Sequence, residues 1–302
     1  MLKQLILNFK EQIEKHPTLL LEGICLSDNN GLLWSKEYIA HSARNIYSHS
    51  KSFTSLMVGI AIDEEKLALN TRFVDVFKDE INLDTYNRLY FITVKDLLTM
   101  SSGFSESLLM STERRKGIGY PDYFNFIISK DLKTKPGSKF CYSNGDTYLL
   151  SRMISKIYDK PFYQVCYEKI FQPLEIGLPV WGSDPMGNSI AASELYLNVV
   201  NMNKLGILFL NNGIYNGKRI VSKEYVDMCK VPQIKSNEND WGDYSFQFWM
   251  VPEGDGYRAD GMYGQITIIW PKYNLTLSFQ RPEDDNLHIV MDILRKEVLS
   301  KI

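Results

Sequence analysis

Cysteine and histidine are both scarce in this chain, with four of each among 302 residues. Cys25, Cys141, Cys166 and Cys229 show no Cys-x-x-Cys or Cys/His spacing, which speaks against a zinc site and against a dithiol redox pair. Each is expected to be a free thiol acting as a small buried hydrophobe, in a reducing compartment. His16, His41, His49 and His288 make no His-Glu-x-x-His pattern, so neither a catalytic metal nor another cofactor is expected. An excess of one charge is missing too. The net charge is −2 and no Lys/Arg cluster stands out, which argues against a nucleic-acid partner. Long apolar runs are absent. The opening "MLKQLILNFKEQIEKHPT" is interrupted by Lys10, Glu11, Glu14 and Lys15, so it reads as neither a signal peptide nor a membrane span. A cytoplasmic protein is expected, or an exported one if a leader has been trimmed away. There is no Gly-x-Ser-x-Gly elbow, phosphate-cradling loop, internal repeat or low-complexity linker.

What the chain does have is ordinary globular chemistry, 44% hydrophobic and 23% charged, in enough length for one large domain or two interleaved ones. Leu2, Leu5, Ile6, Phe9 and Ile13 recur at helical spacing, so the chain opens with an amphipathic helix ending at His16-Pro17. Two short runs around Asp28-Asn29-Asn30-Gly31 read as a β-hairpin. The far end mirrors this pattern. "QITIIW" and "LTLSFQ" flank Pro271-Lys272-Tyr273-Asn274, and a helix follows in which Leu287, Val290, Ile293, Leu294 and Val298 share a face. The middle instead carries helical periodicity, in "TVKDLLTM", "DYFNFIISK" and "TYLLSRMISKIY", separated by turn-rich pieces. The expected fold is α/β (α+β): an antiparallel sheet flanked by the N- and C-terminal helices, interrupted by a mostly helical insertion. Residues 1–62 and 191–302 would form the sheet domain and 63–190 the insertion, with the site in the cleft between them.

Three local patterns carry chemistry. In "IYSHSKSFTS", Ser48 and Lys51 lie three positions apart, ahead of Phe53, Leu56, Met57, Ile60 and Ala61 at helical spacing. On one helix face their Cβ atoms would be about 5–6 Å apart, within reach of a hydrogen bond. Burial and the positive end of the helix dipole would both favour a neutral lysine, which is a base. An N-cap serine beside a solvated lysine fits the same letters. In "KPGSKFCYSNGDTYLL", Tyr142 supplies a phenol able to relay a proton and Asn144 an amide able to contact a carbonyl. The same residues also fit a plain helix start. In "RADGMYGQITIIWP", Gly261 and Gly264 stand at a strand entry, where backbone can approach a ligand or simply bulge.

Taken together, in this order, these segments resemble the serine hydrolases of the class C β-lactamase and penicillin-binding-protein superfamily, which includes family VIII esterases, D-amino-acid peptidases and nylon-oligomer hydrolases. "ITVKDLLTMSSGF", "KPGSKFCYSN", "NKLGILFLNNGIYNGKRIVSKEYV" and "ADGMYGQ" look like successive motifs of that superfamily, across nearly the whole chain. The resemblance implies Ser48 as acylated nucleophile, Lys51 as its base, Tyr142 as proton relay and Asn144 as a substrate-carbonyl contact. It also implies an oxyanion hole from the backbone N–H groups of Ser48 and Met262, with Gly261 beside them. The implied activity is hydrolysis of a small ester, amide or peptide. A non-catalytic sensor binding a peptide or cell-wall fragment is the alternative, disfavoured because a binder has no need of a desolvated lysine beside a serine.

The sequence departs from the superfamily at its third motif. Ala259-Asp260-Gly261 stands where β-lactamases and transpeptidases begin with Lys or His, so weak β-lactam turnover is expected, more so if Asp260 faces the cleft. Glu194-Leu195-Tyr196-Leu197-Asn198 matches a class A β-lactamase pattern but comes too far after Tyr142, and is read as a coincidence.

Overall fold

The computed structural model of the chain describes residues 2–16, 20–40, 43–104, 106–116, 121–238, 241–251, 256–282 and 287–301. Eleven strands occur among them. They are β1 (Gly23–Asp28), β2 (Gly31–Glu37), β3 (Arg44–Asn45), β4 (Val180–Trp181), β5 (Leu195–Leu197), β6 (Ile214–Tyr215), β7 (Lys218–Arg219), β8 (Trp249–Met250), β9 (Tyr257–Gly261), β10 (Gln265–Trp270) and β11 (Leu275–Gln280). Six form one antiparallel sheet in the order β2-β1-β11-β10-β9-β8, so the two ends of the chain meet where β1 pairs β11, Ile24 opposite Phe279. The turn between β1 and β2 is set locally, with Asn30 N–H donating to Asp28 Oδ1 at 2.8 Å and Gly31 at φ +120°. Between β10 and β11 a single 3-10 turn, Pro271–Tyr273, ends on Asn274 in the left-handed region.

Strand alternation decides what each face of this sheet meets. Ile24, Leu26, Ile266, Ile268, Trp270, Leu275, Leu277 and Phe279 point to one side, where they pack with Ile6, Phe9 and Ile13 of the helix Leu2–Lys15 and Val290, Leu294 and Val298 of the helix Leu287–Glu297. The alternate residues of β1, β10 and β11 include Ser27, Gln265, Thr267, Thr276, Ser278 and Gln280, which are polar yet buried on the side of the helix Val199–Leu210 and the start of the helix Ser50–Asp63. Their hydroxyls are satisfied by a connected network: His49 Nε2 meets Thr267 Oγ1 at 2.9 Å, Thr267 meets Ser278 at 2.7 Å, and Asn203 joins Ser278 to Ser27. Burial without partners would cost each group about 1–3 kcal/mol, so the network is what permits this polar layer.

The expected helices of the middle segment form at Val94–Leu98, Tyr123–Ile128 and Asn144–Tyr158, the first two started by the side-chain caps Thr93 and Asp122. They share one apolar core with Ser50–Asp63, a helix whose residues are buried from Ser50 to Ala61. One detail differs from the sequence reading. Ser48 lies not in the α-helix but in a 3-10 turn, Tyr47–His49, that feeds it. Tyr47 holds φ +48°, a conformation that breaks α-helical continuity just before the serine. The four cysteines are free thiols, and among the described residues no helix is long and apolar enough to cross a membrane.

Candidate active site

The turn at Tyr47 aims Ser48 into a cleft while the helix behind it holds Lys51 in the interior. Lys51 is 1% exposed, and its Nζ lies 3.0 Å from Ser48 Oγ, 2.6 Å from Asn144 Oδ1 and 2.9 Å from the Ala192 carbonyl oxygen. Desolvation, reinforced by the Arg114 charge, pushes the lysine well below its ordinary pKa. The strained Tyr47 is held from several sides. Its N–H donates to Asn45 Oδ1 at 2.8 Å, and its ring meets Tyr263 edge-on at 5.3 Å.

Asn144 opens the helix Asn144–Tyr158, whose N-cap Ser143 accepts from the Gly145 N–H. Its amide is oriented without ambiguity, since Nδ2 donates to the Leu109 carbonyl at 2.9 Å and Oδ1 must therefore face Lys51. Tyr142 stands at the cleft wall, with its ring centroid 4.8 Å from Lys51 Nζ. Burial raises its phenol well above the usual value, opposed by a hydrogen bond with Ser48 and seconded by the Asp260 charge. It is a neutral phenol near pH 7. Ser48, Lys51, Tyr142 and Asn144 are thus brought together from segments almost a hundred residues apart.

The third pattern closes the cleft. Gly261 ends β9 so near the Ile46–Tyr47 segment that a Cβ there would lie 2.1 Å from the Ile46 carbonyl oxygen, which only glycine permits. Met262, in the turn to β10, lines the same cavity as Ser48 and is exposed. That cavity, about 400 Å³, is also lined by Met110, Phe140, Tyr142, Glu238, Trp241, Trp249, Asp260 and Tyr263. Asp260 therefore does face the cleft, but it is not a bare charge. Arg258, two positions earlier on the same face of β9, donates from Nε to Asp260 Oδ2 at 2.7 Å. Its repulsion of an anion in the cleft is correspondingly weaker than that of an isolated carboxylate.

Three contributors escaped the sequence reading. The Ala192 and Leu109 carbonyls belong to the backbone, so no side-chain letter advertises them. Arg114 sits in a segment with no motif, and its Nη2 donates to Glu194 Oε1 at 2.6 Å and to Ser193 Oγ at 2.8 Å. Glu194 is thus an ion-pair partner beside the site. A larger cavity, about 580 Å³, lies between the β1–β2 turn and the helix Val199–Leu210, with Ser27, Asn203 and Lys204 in its wall. There the Ser27 hydroxyl donates to Asn203 and the Lys204 amine to the Glu175 carbonyl rather than the two meeting, so the smaller cleft is the candidate site. No group of three or more His, Cys, Asp or Glu residues placed to hold a metal occurs among the described residues.

Comparison with known proteins bears on this arrangement. The family model described as Beta-lactamase matches residues 35–280. Protein flp of Staphylococcus aureus (strain MW2) is 29% identical over 135 residues, 43% of this chain and 26% of that protein, so the match spans about a quarter of the relative's length. A family VIII carboxylesterase superposes with a TM-score of 0.75 at 13% identity, covering 98% of this chain and 97% of its own. A penicillin-binding protein from Bacillus halodurans superposes with a TM-score of 0.73 at 15% identity, covering 98% and 99%. At such identities the likeness is one of fold.

Proposed function

The chain belongs to the beta-lactamase family, and on that premise we propose that it is a serine hydrolase opening an ester or amide bond through an acyl-enzyme on Ser48. The observation that carries this reading is the set of partners around Lys51 Nζ. A neutral amine has two N–H donors and one lone pair. Here two of the three neighbours, Asn144 Oδ1 and the Ala192 carbonyl, can only accept, and the third, the Ser48 hydroxyl, can donate. Three oxygens would equally satisfy an ammonium, and it is burial, with the Arg114 charge nearby, that favours the deprotonated lysine able to accept the serine proton.

Ser48 Oγ then bonds to the substrate carbonyl carbon as its proton passes to Lys51. The negative charge that develops on the carbonyl oxygen falls to the backbone N–H groups of Ser48 and Met262, beside Gly261. When the tetrahedral intermediate collapses, the bond to the leaving alkoxide or amine breaks and Tyr142 donates its phenolic proton to that group, regaining one from the Lys51 ammonium. Asn144 holds Lys51 and can donate to the substrate carbonyl once its amide is released from Leu109. Water attacks the acyl-enzyme by the reverse relay and frees Ser48. Labelling with a fluorophosphonate and peptide mass spectrometry tests the assignment. The adduct is expected on Ser48 and absent in Ser48→Ala, and an adduct on Ser50 or Ser143 sinks it.

A further inference from the structure

The wall of the cleft carries a bias in charge. Among its described lining residues the charged side chains are Glu238 and Asp260, both acids, and the rest are aromatic, apolar or hydroxyl-bearing. Arg258 lies behind the wall with one donor from each nitrogen engaged: Nε to Asp260, Nη1 to the Met250 carbonyl and Nη2 to the Trp241 carbonyl, the last two at 3.1 Å. It is 2% exposed and cannot turn to meet an anion in the cavity without breaking these bonds. Glu238 is exposed, and no ion pair to its carboxylate is found among the described residues. The aromatic wall is continuous, with Tyr142 stacked on Trp249 at 5.8 Å and 24° and Trp241 5.7 Å from Trp249. Aromatic faces and carboxylates both attract cations, and neither gives an anion a partner.

We propose that this cleft selects ester or amide substrates carrying an ammonium group, primary or quaternary, within a few atoms of the scissile carbonyl. The inference rests on the hydrolase reading above. Two isosteric pairs test it: the p-nitrophenyl ester of β-alanine against p-nitrophenyl butyrate, and acetylcholine against 3,3-dimethylbutyl acetate. Each kcat/KM is divided by that ester's rate with hydroxide. In at least one pair the cation is expected to be favoured by about tenfold, the scale of one exposed cation–π contact plus a screened ion pair. Glu238→Gln should narrow that gap several-fold, as should raised salt. Equal or better turnover of the neutral member in both pairs overturns the proposal while leaving the hydrolase intact. No turnover of any ester, with no adduct on Ser48, overturns the hydrolase reading itself.

A second inference comes from a different place, the backbone that holds Lys51. Its two carbonyl partners are each set by a neighbour: Asn144 by the Leu109 carbonyl, and Ala192 by the chain around Ser193 and Glu194. One guanidinium spans both. Arg114 Nη1 donates to the same Leu109 carbonyl, and Nη2 to Ser193 and Glu194. The bridged segments are strained, with Leu109 at φ +56°, Ala191 at +58° and Glu194 at +65°. Such conformations persist only where neighbouring contacts hold them.

The geometry points to Arg114 as a positioning residue that, with Glu194, braces both carbonyl acceptors of the Lys51 amine. The ionisable groups near Lys51 are Arg114 and Tyr142, and Arg114 itself faces Glu194 and Tyr123. Arg114→Gln should lower kcat about tenfold with little change in KM, and move the acid limb of kcat/KM to higher pH, because Lys51 then meets less opposing charge. Arg114→Lys should restore the limb but not the full kcat, since an ammonium cannot bridge both segments. A merely structural arginine would lower the melting temperature of both variants and leave the limb in place, which overturns the proposal. If Arg114→Gln does not fold, Glu194→Gln loosens one end of the brace, and an unchanged kcat there has the same consequence.

Discussion

At the scale of single residues, the reading depends on a lysine that is uncharged beside a serine. Lys51→Arg places an always-protonated group there, so acylation should fall by about 10²-fold or more, the range of a general-base contribution. Stopped-flow acylation with an activated ester measures this, and near-wild-type rates would move the base to another group. Tyr142→Phe removes a proton donor whose pKa burial has raised, so it should slow amides more than activated esters, whose leaving groups need no proton. The neighbouring Asp260 bears on substrate choice. Its pairing with Arg258 weakens the repulsion of an anion, but Ala259 still supplies no cation for a carboxylate. Nitrocefin should therefore show a lower kcat/KM than the best neutral ester, and the reverse order would refute this.

At the scale of elements, the site depends on close approach of a helix to the sheet behind it. Gly206, in the helix Val199–Leu210, lies where a Cβ would sit 2.1 Å from Thr276 Oγ1 and 2.9 Å from Thr267 Cγ2. The Thr276 hydroxyl is tied to the Ile268 carbonyl at 2.9 Å, and Thr267 belongs to the His49 network, so neither yields cheaply. Alanine gains up to about 1 kcal/mol in helix propensity, whereas overpacking costs roughly 1–3 kcal/mol. Gly206→Ala should lower the melting temperature while leaving Ser48 labelling intact in the folded protein. An unchanged or raised melting temperature would mean the helix can slide outward.

At the scale of the whole molecule, two buried ionisable groups give stability a dependence on pH. Asp146 accepts from Ser102 Oγ at 2.8 Å, its Oδ2 meets no partner, and burial lifts its carboxyl to about 7. An acid whose folded pKa is raised adds stability at low pH that is lost as pH rises toward 7. His49 runs the other way. Burial lowers it to about 3, so its contribution is present above pH 6.5 and lost on acidification toward 3. Asp146→Asn mimics the protonated acid. It should melt several degrees higher than wild type at pH 8, with the difference vanishing near pH 4. A difference independent of pH would show that the carboxyl is not what titrates.

Much of this molecule follows from local sequence. The periodicity of the terminal helices, the Asn-Gly and Pro-Lys-Tyr-Asn turns and the caps at Thr93 and Asp122 act through neighbours a few residues away, and the corresponding elements form as expected. The order of the Ser48-x-x-Lys51, Tyr142-Ser143-Asn144 and Ala259–Gln265 segments was likewise enough to name the superfamily. The 3-10 turn at Ser48 was not legible, because a left-handed tyrosine is stabilised by Asn45 and Tyr263 rather than by its own letter. Nor were the backbone acceptors at Leu109 and Ala192, the Arg114–Glu194 brace or the shielding of Asp260 by Arg258. Carbonyl oxygens carry no sequence signature, and a lysine's proton affinity is set by the solvent that other segments exclude. The identity of the groups proposed to react was written in the chain, whereas their charge and their company arose only when distant segments packed together.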